Sequence, residues 1–528
     1  MKLRHVVVLV TMAGWLFACT KPTLTPAPAA TATPPVQATV TPPVPLTSTA
    51  ETPTWFRDAI LYEIFPRSYY DSNGDGVGDL KGITSRLDYV QALGANTLWL
   101  TPVFSSTSPH GFDVTDFYAV APSLGTKDDL AELVRLAHNR KMRVVMDLVV
   151  AYTSNEFPQF KEAYGKPDSQ YSEWYQWSNA SHTAFKSYAN LRSMPLLNLQ
   201  STTVQTYLFQ MAQYWLSIGV DGLRLGDVTS VPHEFWQALR QTTKQANPDA
   251  VLVGEVWESD PKKLQPYLQG EFDAVLDVPL YYTLVGGPDR GGGGWLNGRS
   301  SPGALDTALS PGAIYSPSAQ LVRFASMHNT NRVASQVGQD AARKRLAAVL
   351  VLTLPGTPLI YYGDEIGMPG SLGTGALADA PRRAPMDWAK SGKGAGVIQD
   401  PAKVNKPGDG ISVEEQQNVP GSLWSLYRLL VQHRTEHAAL RGLNAQPAVS
   451  ECKSCYAYLR WDADDFYFVA FNLSGQTQSV TFDLTKPPRA VTGPGEDVLR
   501  GGVVSMPSNG RYTLTMDPWD TRVLRWGE

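Results

Sequence analysis

The sequence predicts an α/β protein: a closed (β/α)8 barrel with a small domain inserted after the third strand and an antiparallel β-sandwich at the C-terminus. Eight short apolar, β-branched runs follow one another, most of them separated by helical patterns. Such alternation implies a parallel sheet, and eight repeats imply its closure into a barrel of the TIM type. The gap after the third run, roughly Ala151 to Gln200, is aromatic and polar and lacks one clear helix. Beyond the helical pattern Leu423–His433 the text changes to short alternating strands such as Phe466-Tyr467-Phe468-Val469-Ala470-Phe471, which predicts the sandwich.

The 528 residues are enough for two or three domains, and one barrel with insertions takes most of them. The formal net charge of −4 gives neither a basic field for nucleic acid nor a polyanionic tail. The 14 Trp and 23 Tyr serve first as core packing, with sugar stacking as their minority use.

Residues 1–19 read as an export signal. Lys2, Arg4 and His5 precede an apolar run from Val6 to Phe17, too short to remain as a spanning helix. Its end, Leu16-Phe17-Ala18-Cys19, looks like a bacterial lipobox, which makes Cys19 the lipidated start of the mature chain; an export signal with an incidental Cys is the other reading. Residues 20–54 are almost wholly Thr, Pro, Ala and Val, a composition that buries no core and forms an extended tether. The expected location is the bacterial cell surface or the periplasmic side, with the membrane reached through the N-terminal lipid.

The barrel is expected over residues 55–442, with the insertion at 151–200. Its strands are Ala59–Phe65, Thr97–Thr101, Arg143–Val149, Val220–Leu225, Ala250–Glu255, Phe272–Leu276, Leu321–Ser326 and Pro358–Gly363. The glycine run Gly291–Gly294 lacks the G-K-[ST] of a phosphate loop and reads as a rim loop. The sandwich is expected over 443–528. Cys452 and Cys455 form a C-x-x-C there, and with no further Cys beyond Cys19 a local disulfide is favoured over zinc, which needs more ligands.

The text between these landmarks resembles the α-amylase family, glycoside hydrolase family 13, on its α-glucosidase and oligosaccharide-acting side. The resemblance is carried by Leu61-Tyr62-Glu63-Ile64-Phe65-Pro66-Arg67-Ser68, His110-Gly111-Phe112-Asp113-Val114-Thr115-Asp116-Phe117, Val253-Gly254-Glu255-Val256-Trp257, Leu354-Pro355-Gly356-Thr357-Pro358 and Tyr361-Tyr362-Gly363-Asp364-Glu365. It covers nearly everything after the tether. It is specific for fold and says less about activity.

A retaining glycosidase needs two carboxyl groups roughly 5 Å apart, one to attack C1 and one to protonate the leaving oxygen. The resemblance implies Glu255, at the end of the fifth strand, as the acid. The fourth-strand text is Gly219-Val220-Asp221-Gly222-Leu223-Arg224-Leu225-Gly226-Asp227-Val228, where the family reads G-V-D-G-F-R-L-D-x-V, so Gly226 stands at the nucleophile position. Asp227 comes one residue late, and strand alternation predicts that it points away from the barrel mouth unless the backbone distorts at Gly226. Met327-His328-Asn329 puts Asn329 where the family carries its third carboxylate. On the third strand Asp147 is kept, while Ala151 and Tyr152 replace the family's Asn and His; Leu196 stands where an Asp is common.

The resemblance also implies sugar contacts from Asp113, Arg224, His328 and Arg383, with Phe112 and Tyr152 as aromatic neighbours. Asp113 and Arg383 can read a sugar hydroxyl or pair with each other. The segment Asp71-Ser72-Asn73-Gly74-Asp75-Gly76-Val77-Gly78-Asp79 offers hard oxygen ligands at alternate positions, with a carbonyl from Val77. This suits a structural Ca2+ at Asp71, Asn73, Asp75, Val77 and Asp79, although the twelfth position, Gly82, departs from an EF-hand; a plain Asn/Gly turn is the other reading.

The expected function is that of a surface-anchored, catalytically inactive family member that binds α-glucan or oligosaccharide. An active retaining α-glucosidase or α-amylase with a non-standard nucleophile is a second expectation. A protein-interaction scaffold is a third.

Overall fold

The computed structural model describes residues 52–528 except 288–293, 311–313, 316–319, 376–377, 399–405, 486, 489–490, 492, 507–508 and 528. The expected export signal, Cys19 and nearly all of the tether lie outside the described residues, as do Gly291, Gly292 and Gly293. Among the described residues no helix is long and apolar enough to cross a membrane.

Eight parallel strands close into a barrel: β1 (Leu61–Ile64), β2 (Thr97–Leu100), β3 (Arg143–Leu148), β4 (Gly222–Leu225), β5 (Val251–Gly254), β6 (Ala274–Leu276), β7 (Gln320–Arg323) and β8 (Thr357–Tyr361). Each lies inside or within one residue of an apolar run legible in the sequence. β4 and β6 end where their runs end, and the other six strands end one to three residues earlier, where the chain passes into the loops of the mouth. Closure is made where Leu61 of β1 faces both Leu359 of β8 and Thr97 of β2. Parallel strands covered on both faces read as continuous apolar text, and seven of the eight are buried throughout, Arg143 of β3 being the exposed exception.

Helices surround the barrel by burying one stripe each. α1 (Lys127–Asn139) starts with a capping box between Thr126 and Asp129 and buries Leu130, Leu133, Val134 and Ala137, a helical spacing. α2 (Thr202–Ser217) follows the insertion and buries Val204, Leu208, Met211, Ala212, Trp215 and Leu216. A hairpin of Phe104–Ser106 and Val114–Val120 rises after β2 and was not anticipated. Residues 151–200 hold short helical turns and isolated bridges such as Tyr152 with Leu196 and Ser187 with Pro195.

The C-terminal strands form two antiparallel sheets. One runs in the order Ala445–Pro447, Cys455–Trp461, Asp465–Asn472, Thr521–Gly527, Pro494–Asp497, Val503–Ser505, and the other in the order Val449–Ser450, Gln478–Asp483, Arg511–Met516. Phe468, Phe482, Met516, Leu524 and Trp526 pack into their common core. Cys452 and Cys455 are joined by a disulfide.

A buried arginine of this region, Arg460, reaches into the barrel, and a second, Arg434, holds a late barrel helix to the residues before β8. Arg434, on α3 (Leu423–Glu436), donates to the carbonyls of Leu352, Leu354 and Gly356 just before β8. Arg460 donates to the carbonyls of Thr353, Leu440, Gly442 and Asn444. Burial pushes their guanidinium groups down to about 9 and about 10.

Candidate active site

The C-terminal ends of the strands surround a cavity of about 240 Å³. Barrel chemistry sits at this end because the loops there converge on one point. The cavity is lined by the ends of β3, β4 and β5, by His328 and Asn329 after β7, by Arg383 and Asp379 after β8, and by Tyr188, Leu191 and Met194 of the insertion.

Arg224, the third residue of β4, is the electrostatic centre. It is 1% exposed and lies over the Trp99 ring, 5.2 Å from its centroid. Its Nη1 reaches Asp147 Oδ2 at 3.3 Å, and its Nη2 reaches Glu255 Oε2 at 2.5 Å. The other Glu255 oxygen accepts from Asn329 Nδ2 at 2.8 Å. Both oxygens of the candidate acid therefore face donors. Trp99 Nε1 donates to Asp147 at 2.7 Å, yet burial outweighs these partners and pushes Asp147 up to about 7.

A second buried pair lies beneath. His328 Nδ1 is 2.5 Å from Glu63 Oε1. Burial drives the two in opposite directions: Glu63 goes well above the carboxylate range, aided by Asp147, and His328 well below the imidazole range, aided by Arg224 and Arg383. The neutral forms are favoured on both sides. Glu63 was not singled out in the sequence, since its partner lies far along the chain and no local spacing links them.

At Gly226, where a nucleophile was expected, the backbone makes no demand for glycine. Gly226 is not among the residues with positive φ. A Cβ built there would lie 3.3 Å from Arg224 Nη1 and 3.4 Å from Glu255 Oε2, the tips of two side chains rather than backbone.

The expectation for Asp227 is corrected. It lines the cavity instead of pointing away. Strand alternation ends with β4 at Leu225, and Asp227 adopts a left-handed conformation with φ 52°. That turn brings it back toward the mouth. Ser230 Oγ donates to its Oδ2 at 2.5 Å, and burial followed by the charge of Glu255 raises its pKa.

Asp113 is also corrected. It is buried but does not line the cavity, and it does not pair with Arg383. Its carboxylate accepts from the hydroxyls of Thr107 and Ser108, held by the hairpin turn that the sequence did not reveal. Arg383 donates instead to the His328 carbonyl at 3.0 Å and to Asp379 at 3.2 Å. Phe112 and Tyr152 do line the cavity. Phe112 stacks on His328 with centroids 5.4 Å apart, and Tyr152 stacks on Tyr188 at 4.6 Å. Asp379 and Tyr188 carried no distinctive signal, because neither belongs to a spaced motif.

The candidate metal loop lies outside this cavity. Asp71 accepts from the amides of Asn73 and Gly74 on one oxygen and of Gly76 on the other. Asp79 accepts from Ser72 and caps the next helix through Gly82 N. Among the described residues no three His, Cys, Asp or Glu side chains gather in a metal-holding group. Asp71, Asn73, Asp75 and Asp79 remain an all-oxygen donor set, the chemistry that calcium takes.

A family model described as "Alpha amylase, catalytic domain" matches residues 63–442. Alpha-amylase 3 of Dictyoglomus thermophilum is 33% identical over 453 residues, covering 81% of this chain and 87% of that protein. A cyclomaltodextrinase of a Bacillus species is 30% identical over 458 residues, covering 80% of this chain and 74% of that protein. Among solved structures, an α-amylase from H. orenii superposes with a TM-score of 0.76 at 30% identity, covering 88% of this chain and 99% of the other. The chain belongs to the α-amylase family, glycoside hydrolase family 13.

Proposed function

We propose that this protein binds an α-glucosidic oligosaccharide without carrying out the family's retaining hydrolysis. The observation that carries this reading is the pairing of Arg224 with Glu255. With no carboxylate at Gly226, the guanidinium takes the candidate acid as partner at 2.5 Å, and Asn329 holds the acid's other oxygen at 2.8 Å. A double displacement then lacks a nucleophile to form the covalent intermediate, and the amide of Asn329 adds no negative charge to stabilise a cationic transition state. Loss of a nucleophile costs on the order of 10⁴–10⁶ in rate in enzymes where it has been removed. Arg224, His328, Asn329 and Arg383 still converge on the cavity as polar contacts for hydroxyls.

Calorimetric titration with maltose through maltohexaose tests the reading. Saturable heats abolished by Arg383→Ala support it, and no heat with any member of the series overturns it.

A second reading has its own observation, Asp227 on the cavity wall. If this carboxylate has taken over the missing role, the wild type hydrolyses aryl α-glucosides and Asp227→Asn removes that activity. Two further assignments complete the proposal. Cys19 carries lipid that holds the domain at a membrane surface through the Thr/Pro-rich tether. The loop Asp71–Asp79 takes a structural Ca2+, supported by its oxygen donors and the carbonyl of Val77.

A further inference from the structure

We propose that Glu63 is a positioning residue for the cavity: its carboxyl group stays protonated and donates to His328 Nδ1, so that His328 holds its own proton at Nε2 and offers the ligand a donor. The role toward a ligand rests on the reading that the cavity binds a sugar. Glu63 lies on β1 and is fully buried, while His328 follows β7 and lines the cavity. Nδ1 of the imidazole is 2.5 Å from Glu63 Oε1. With Nδ1 taken, Nε2 is the ring nitrogen that remains for a ligand. The ring itself has little freedom. Phe112 stacks on it with centroids 5.4 Å apart, and the Trp99 ring meets it edge-on at 6.4 Å. Arg383 Nε holds the His328 carbonyl at 3.0 Å. What is left to set is the place of the ring's proton, and the partner of Nδ1 sets it.

Three arrangements of the pair are open to a carboxyl group and an imidazole at this distance. An ion pair buries an imidazolium near the Arg224 and Arg383 guanidinium groups and a carboxylate near Asp147 and Glu255. A carboxylate accepting from a neutral Nδ1–H removes only the first of these costs. It leaves an ionised group out of water whose second oxygen, Oε2, has no hydrogen-bond partner, and a buried charge without full pairing is the costliest of these burdens. Arg224 lies near enough to favour the carboxylate, but its terminal nitrogens pair with Asp147 and Glu255. Tyr361 of β8, also within electrostatic reach of Glu63, adds no charge, since burial raises its hydroxyl well above the usual range. The third arrangement, a carboxyl O–H donating to a bare Nδ1, buries no charge. A neutral imidazole carries one N–H, and with Nδ1 bare it sits at Nε2. His328 then joins Arg383 as a donor to sugar hydroxyl oxygens on the cavity wall.

The test is NMR of the full chain with isotopically labelled histidine, in which the shifts of the two ring nitrogens report which one carries the proton. His328→Gln identifies the signal. The wild type is expected to show Nε2 protonated and Nδ1 bare, unchanged between about pH 5 and 8, where an ordinary histidine titrates. Nδ1 protonated at neutral pH, alone or together with Nε2, overturns the proposal. Calorimetry with methyl α-glucoside, a single ring, reads the consequence for binding. Glu63→Leu removes the donor and is expected to weaken binding about fivefold or more, the worth of one hydrogen bond. Glu63→Gln keeps an N–H for Nδ1 and is expected to retain the wild-type ring shifts and bind within about twofold of wild type. Equal affinity in all three proteins overturns the positioning role. Should Glu63→Leu fail to fold, the wild-type shifts and Glu63→Gln decide. A wild type that shows the Nε2 proton yet binds no sugar overturns the sugar reading and leaves the hold of Glu63 on the ring standing.

Discussion

Beside Gly226 the Arg224 guanidinium pairs with both Asp147 and Glu255. The backbone at Gly226 asks for no glycine, and its absent Cβ would touch only the tips of Arg224 and Glu255. Gly226→Asp is therefore expected to fold with a stability change within about 1 kcal/mol. The new carboxylate competes for Arg224 and frees Glu255. By itself it restores little turnover, because Asn329 still offers an amide and Tyr152 still stands beside the sugar. Gly226→Asp combined with Asn329→Asp and Tyr152→His is expected to give measurable hydrolysis of aryl α-glucosides with retained configuration, read by NMR of the first-formed anomer. Inverted product would contradict the assigned roles. Asp147 provides a pH signature at the same scale. Burial raises it from an ordinary value near 4 to about 7 in the folded chain. Its contribution to stability is thus fully present below about pH 4 and is lost as pH rises through about 7. Denaturant titrations of Asp147→Asn should show stability falling less steeply than wild type between those limits, by up to ~1.4 kcal/mol per pH unit. An unchanged slope would mean that Asp147 is ionised throughout.

The elements were more legible than the site they carry. Strands buried on both faces announce themselves as unbroken apolar runs, so all eight barrel strands were visible in the text. Three things were not. The hairpin Phe104–Ser106 with Val114–Val120 turns Asp113 inward onto Thr107 and Ser108, although Asp113 had been expected to face sugar. The left-handed turn at Asp227 undoes an alternation argument that holds only within β4. Glu63 meets His328 through barrel closure, which sequence spacing does not encode. Arg224, Gly226, Glu255, His328 and Asn329, each in a motif at or just past the end of a strand, line one cavity together with Arg383. The loop Asp71–Asp79 yields an element-scale prediction. A ligand bound only by the native state raises stability. Chelation is expected to lower the melting temperature by several degrees, and added calcium to restore it, with Asp71→Ala insensitive to both. Identical melting with chelator and with excess calcium would remove the metal from the account.

At the scale of the whole molecule, barrel and sandwich are joined by the carbonyls that Arg460 reaches and by two paired acids, Asp465 with His437 and Asp306 with the Tyr456 hydroxyl. Arg460 alone satisfies the carbonyls of Thr353, Leu440, Gly442 and Asn444. Arg460→Met leaves the buried Thr353 and Leu440 carbonyls without this donor and is expected to cost about 3 kcal/mol, with an added early transition in calorimetry. A single transition at the wild-type temperature would show the clamp to be dispensable. The proposal that Cys19 carries lipid predicts that Cys19→Ser moves the protein from the membrane fraction to the soluble one, because acyl chains would supply the anchoring energy. Whether the cavity hydrolyses glycosides is read from turnover. Hydrolysis of 4-nitrophenyl α-maltoside at high protein concentration should be indistinguishable between the wild type and Glu255→Gln, while calorimetry still records maltooligosaccharide binding to the wild type. Clear turnover by the wild type that Glu255→Gln abolishes would show the protein to be an active hydrolase.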